Sequence, residues 1–106
     1  VAGVTTTKTQ AYHGTLVAAT VDTVTISGQF RKFAIINRSG TSEINFTYAS
    51  SGSAPPAATV AGDNTMVLTA GVGAVQELDF EQGVKNLQVS LISAGTPTYS
   101  VVGLTN

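Results

Sequence analysis

The chain has 106 residues, the size of one domain with a single core. Hydrophobic residues make up 42% of it and charged residues only 10%, with a net charge of −1. The five basic residues, Lys8, Arg31, Lys32, Arg38 and Lys85, are too few and too scattered for a nucleic-acid surface, and the lack of cysteine excludes disulfides, thiolate catalysis and cysteine zinc sites.

Residues 1–10 carry Thr5-Thr6-Thr7-Lys8-Thr9 without clear alternation. They are expected to form an N-terminal arm, either mobile or ordered by a partner. Residues 11–106 then form one domain. Its apolar residues recur at i+2 rather than i+3 and i+4, and β-branched residues are spread throughout, which predicts strands and no long helix.

Residues 12–19 supply a first strand, and Val24 and Ile26 alternate with Thr23 and Thr25 in a second. Phe33 and Ile35 lie in a segment apolar enough to be covered on both faces. Asn37-Arg38-Ser39-Gly40 is a cluster of turn residues, followed by Ile44, Phe46 and Tyr48 alternating with Asn45 and Thr47; the pattern reads as a β-hairpin. Arg38 and Glu43 flank that turn and are placed to pair across it. Residues 49–61 lack alternation, and Ser50-Ser51-Gly52-Ser53 with Pro55-Pro56 reads as an exposed connection.

Gly62-Asp63-Asn64 turns the chain into Met66, Val67 and Leu68, and residues 70–73 turn it again. Val75, Leu78 and Phe80 suggest an irregular, bulged strand. Leu87, Val89 and Leu91 alternate cleanly with polar residues, and Gly95-Thr96-Pro97 leads into Tyr99 and Val101. About eight short strands with turns every ten residues or so predict an all-β, antiparallel β-sandwich of jelly-roll type. Its core is expected to hold Phe33, Ile35, Phe46, Leu68, Leu87, Val89 and Leu91.

Candidates for chemistry are sparse. His13, the one histidine, reads as solvent-facing or structural, and without cysteine it cannot build the usual zinc site. Asp63, Asp79 and Glu81 lack the closely spaced oxygen ligands of a calcium loop, and Asp63 is more simply a turn residue. Gly71-Val72-Gly73 lacks the lysine and the helix of a phosphate loop. The expectation is no catalytic residue, no metal and no cofactor. Asn37-Arg38-Ser39 and Asn45-Phe46-Thr47 match the glycosylation sequon, a pattern common by chance in such a chain. Tyr12, Tyr48 and Tyr99 raise a sugar-binding platform, but Tyr48 and Tyr99 alternate as core residues. No apolar run approaches the roughly 18–20 residues of a membrane helix. The start at Val1 fits removal of an initiator methionine, and equally a cleaved leader or a trimmed chain.

Phe33-Ala34-Ile35-Ile36-Asn37-Arg38-Ser39-Gly40-Thr41 with Ile44-Asn45-Phe46-Thr47-Tyr48, then Gly62-Asp63-Asn64-Thr65, Leu68-Thr69-Ala70-Gly71, Leu87-Gln88-Val89-Ser90-Leu91-Ile92-Ser93-Ala94-Gly95 and Tyr99-Ser100-Val101, together resemble the small β-sandwich proteins that decorate tailed-bacteriophage heads. The resemblance covers about two-thirds of the chain in strand-and-turn order. It implies a structural, non-enzymatic virion protein, assembled in the host cytoplasm, that binds the major capsid protein of the finished shell, often as a homotrimer. Tail and neck proteins share this composition, and a carbohydrate-binding module is the remaining alternative. By elimination, the capsid contacts are expected in the two segments that form neither strands nor core: Thr5, Thr6, Thr7, Lys8 and Thr9, and Ser51, Ser53, Pro55 and Pro56.

Overall fold

The computed structural model describes residues 3–39, 41–50, 53, 55, 57–60, 62, 65–71 and 73–105, and none of these is helical. Seven strands form: β1 (Thr5–Lys8), β2 (Ala11–Thr15), β3 (Asp22–Asn37), β4 (Ile44–Ala49), β5 (Met66–Leu68), β6 (Ala74–Ile92) and β7 (Thr98–Thr105). They belong to one sheet in the order β2-β7-β3-β6-β4-β5, with β1 added alongside β3. All pairs are antiparallel except β1 with β3. The all-β antiparallel architecture expected from alternation is therefore present.

The long pair β3 and β6 organises the molecule. Their register shifts twice, between Ile26 and Gln29 and again between Phe30 and Lys32. At these shifts the pair bends, and the sheet curls into two facing halves. β1, the start of β3, the end of β6, β4 and β5 make the first half; β2, β7, the end of β3 and the start of β6 make the second. Both ends of β3, Asp22 and Asn37, thus lie at an open end with the connecting loops. The bend forms a corner at the opposite end.

Four of the expected short strands are two long ones. Gly28 and Gly83, with positive φ values of 138° and 79°, bend continuous strands here. The core fills the space between the halves. Phe33, Ile35, Phe46, Leu87, Val89 and Leu91 are fully buried and Leu68 nearly so, joined by Leu16, Val24, Ile26, Ile44 and Val101. Phe30 reaches the core because Gly103 has no side chain; a Cβ there would meet the Phe30 ring at 2.8 Å.

Several local expectations are corrected. The arms around Phe33 and Phe46 are not a hairpin: β3 pairs with β6 and β7, whereas β4 pairs with β5 and β6. The turn between them carries the chain from one half of the sheet to the other. Asn37, fully buried, directs it by donating to the Ser42 carbonyl (2.8 Å) and the Thr69 carbonyl (3.1 Å) and accepting from the Ser39 N–H (2.9 Å). Arg38 and Glu43 form no pair; the ion pair among the described residues is Lys32–Asp79 at 3.7 Å. The first strand stops at Thr15, and Leu16 is buried with its N–H on the Pro97 carbonyl.

The arm is also corrected, because Thr5–Lys8 forms a sheet strand in register with Thr23–Ile26. What holds it is Asp22, 1% exposed at the start of β3, whose Oδ1 accepts the Val4 N–H at 2.9 Å, while Thr23 donates its N–H to the Val4 carbonyl. An alternation test cannot detect this strand, since at the sheet edge Thr5, Thr7 and Lys8 are all exposed and Thr6 only half-buried.

Candidate docking face

Side chains on paired strands point the same way when their residues are in register, so the outer surface of the first half can be read row by row. Val24 and Ile26 are buried inside, which turns Thr23 and Thr25 outward. Thr5, Thr23, Ser90 and Thr47 form one row across β1, β3, β6 and β4; Thr7, Thr25, Gln88 and Ala49 form the next. Asn45, Ile92 and Val67 complete the face toward β5. None of these eleven residues is charged.

The loop after β4 covers part of this face. Ala58 is 1% exposed and donates its N–H to Ser90 Oγ at 3.0 Å, and Asn45, Thr47, Ser90 and Ile92 are buried. The connection between β4 and β5, expected to be wholly exposed, is therefore packed down at Ala58 with Ser53, Ala57, Thr59 and Val60 exposed. The uncovered part of the face presents Thr5, Thr7, Thr23, Thr25 and Gln88. At the open end it continues into a shallow cleft of about 220 Å³ between Thr41, Ser42, Glu43, Val60 and Ser93.

The first segment and the described end of the loop that holds the second, at Ala58, thus come to one side of the molecule. Thr5 lies two strands from Ser90, where the loop is anchored, a separation of about 10 Å. Thr5 and Thr7 are exposed on the outer face, Lys8 and Thr9 are exposed beside it, Thr6 is half-buried, Ser53 is exposed and Pro55 half-buried. Ser51 and Pro56 lie outside the described residues. Thr23, Thr25 and Gln88 share the face but escape the reading by elimination, because they sit in strands. Their outward alternation with Val24, Ile26, Leu87 and Val89 was the available signal.

Beneath the face, on the inner side of the sheet, Tyr99 of the second half donates its hydroxyl to Asp22 Oδ2 at 2.8 Å and ties the two halves together. Both residues are buried, so the carboxylate is held by Tyr99 on one oxygen and Val4 on the other. Burial above all, then the hydrogen bond to Asp22 and the charges of Asp22 and Tyr12, push the Tyr99 hydroxyl well above the usual tyrosine range.

The other candidates resolve into structure. His13 is exposed with Nδ1 2.6 Å from Ser100 Oγ. Asn37 and Asn45, the two sequon asparagines, are buried and closed to glycosylation. Tyr99 is fully buried while Tyr12 and Tyr48 pack half-buried against the core, so the tyrosines form no platform. Asp63 lies outside the described residues, and among the described residues no three carboxylate or histidine side chains converge as a metal site.

Neither a family model nor a curated protein matches the chain. Among solved structures, the pre-peptidase C-terminal domain of a collagenase from Bacillus anthracis is similar with a TM-score of 0.47 and 11% identity, over 94% of this chain and 92% of that one. A likeness of this size carries no argument about what the chain does.

Proposed function

We propose that the protein is a structural subunit of a tailed-bacteriophage particle that binds the major capsid protein of the assembled head through the threonine-rich outer face of its first half, in many copies and as a homotrimer. The observation that carries this reading is the union of Thr5, Thr7, Thr23, Thr25, Gln88 and the loop over Ser90 into one uncharged surface. Covering such a surface with a neighbour desolvates hydroxyls, which find new partners, and no ions, whose burial is costly. The strand resemblance to head decoration proteins points to the same partner. In this reading the chain has no catalytic role.

The test is co-sedimentation of the purified chain with heads assembled without it, with isolated tails as a second arm. Saturable binding to heads at a fixed ratio to the capsid protein is the expected result. Binding to tails alone would transfer the reading to the tail or neck, and binding to neither would end it.

A further inference from the structure

The corner carries an unusual insertion. Between the pairs Phe30↔Val84 and Lys32↔Asp79, β3 advances by two residues while β6 advances by five, which leaves Phe80, Glu81, Gln82 and Gly83 bulged opposite Arg31. Bulges of this kind re-aim side chains that a regular ladder would send to alternate faces. Here they open two adjoining clefts. One, about 470 Å³, lies between Arg31, Lys32, Asp79, Phe80 and Glu81. The other, about 320 Å³, lies between Gln29, Arg31, Gln82 and Gly83. Arg31 is the wall they share.

Three features define what could occupy them. Four of the chain's eleven charged residues line the first cleft, and two are cationic and two anionic, so the site carries no net charge that would favour an anionic or a cationic ligand. Arg31 and Lys32 only donate hydrogen bonds, the carboxylates of Asp79 and Glu81 only accept, and the amides of Gln29 and Gln82 do both. Lys32 and Asp79 pair with each other at 3.7 Å, which leaves Arg31, Glu81 and the two glutamines to meet a ligand. A neutral molecule with closely spaced groups that both donate and accept, as the hydroxyls of a sugar ring do, matches them. Phe80, half-buried and fixed by tilted ring contacts with Phe33 at 5.9 Å and Tyr48 at 6.2 Å, adds an apolar part to the lining, against which the C–H groups of such a ring can pack.

The floor of the second cleft depends on a glycine. A Cβ at Gly83 would sit 3.5 Å from Gln29 Nε2 and 3.7 Å from Arg31 Cγ, so the absent side chain leaves room between these two polar arms. Both clefts are of the size of small-ligand sites. We infer that the corner is a binding site for a neutral oligosaccharide, with one sugar unit against Phe80, a second above Gly83, and Arg31 bridging them. This site is at the end of the molecule away from the loops and is independent of the face assigned to the capsid.

The experiment is an amide-resolved NMR titration of the whole chain with cellobiose, lactose and N,N′-diacetylchitobiose, each beside its monosaccharide, and with glycine betaine as a zwitterionic control. The expected result is saturable shifts of Arg31 and residues 80–83 with at least one disaccharide, about tenfold tighter than its monosaccharide, the gain of one additional well-made set of contacts. Arg31→Ala and Glu81→Gln, both at exposed positions, should each weaken it severalfold while the remaining spectrum stays native. Shifts with betaine alone, shifts away from the corner, or no saturable shift with any of the three disaccharides would overturn the assignment. Head binding is measured separately, so either site can fail without the other.

Discussion

The outer face of the first half and the corner are built from the same two strands, yet their chemistry is opposite. On the face, β3 and β6 keep strict register and contribute Thr23, Thr25, Gln88 and Ser90; at the corner they lose register and contribute Arg31, Lys32, Asp79 and Glu81. Regular pairing gives an even surface whose groups repeat at fixed spacings, which suits contact with a large partner. Irregular pairing gives concave space and convergent charges, which suits a small one. Where a strand stays in register and where it bulges thus separates two kinds of surface on a chain with very few charges to place.

The largest effect comes from breaking the scaffold that both regions share. Val89→Asp puts an unpaired carboxylate at a fully buried position of β6, at a cost of several kcal/mol, comparable with the whole stability of a small domain. Circular dichroism should show an unfolded chain, and a native spectrum with cooperative melting would contradict the assigned core.

A change on the face alone should separate binding from folding. Thr7→Glu with Gln88→Glu places two charges about 10 Å apart on one row, far enough for salt to screen their repulsion. Stability should move by no more than about 0.5 kcal/mol in urea unfolding, as for most surface changes. Head binding should weaken at least about tenfold, because the charges must be desolvated at the contact.

Tyr99→Phe tests the link beneath the face. It leaves Asp22 Oδ2 buried without its tyrosine donor and should cost about 1–3 kcal/mol. The pH dependence adds a sign. The native tyrosine keeps its proton above pH 10 while the unfolded one loses it, so the native state binds more protons and stability falls as pH rises above about 10, with a limiting slope near 1.4 kcal/mol per pH unit. The variant should lose that component of the slope; an unchanged alkaline slope would show that Tyr99 is not its source.

The smallest effect belongs to the corner. Asp79→Asn removes the 3.7 Å pair with Lys32, but the Asp79 side chain is 69% exposed, so the change should lie within about 0–1 kcal/mol and shrink with added salt. A loss well beyond that range would mean that the corner charges hold the bend itself.

Much of the scaffold was legible in the sequence, and for a physical reason. Burial on one side of a strand writes itself as alternation, so Phe46, Leu87, Val89 and Leu91 could be placed in the core from spacing alone. Pairing partners write nothing comparable. Thr5–Lys8 joins β3 in parallel across 18 residues, and its edge position leaves no alternation to read. The supposed hairpin failed for the same reason: Asn37 looks like a turn residue, but its contacts with Ser42 and Thr69 decide where the turn leads. The two long strands read as four short ones because a bend inside a strand, such as those at Gly28 and Gly83, breaks alternation just as a strand end does. The corner clefts and the Asp22–Tyr99 bond depend on such long-range pairing, so they emerge only from the folded chain.

The most direct test of the central claim compares head binding by Thr7→Glu/Gln88→Glu with binding by Arg31→Glu, side by side in one co-sedimentation series with the parent chain. If the uncharged face is the contact, the first variant is lost from the pelleted heads and the corner variant pellets like the parent. Equal binding by all three chains, or loss of the corner variant alone, would contradict the assignment.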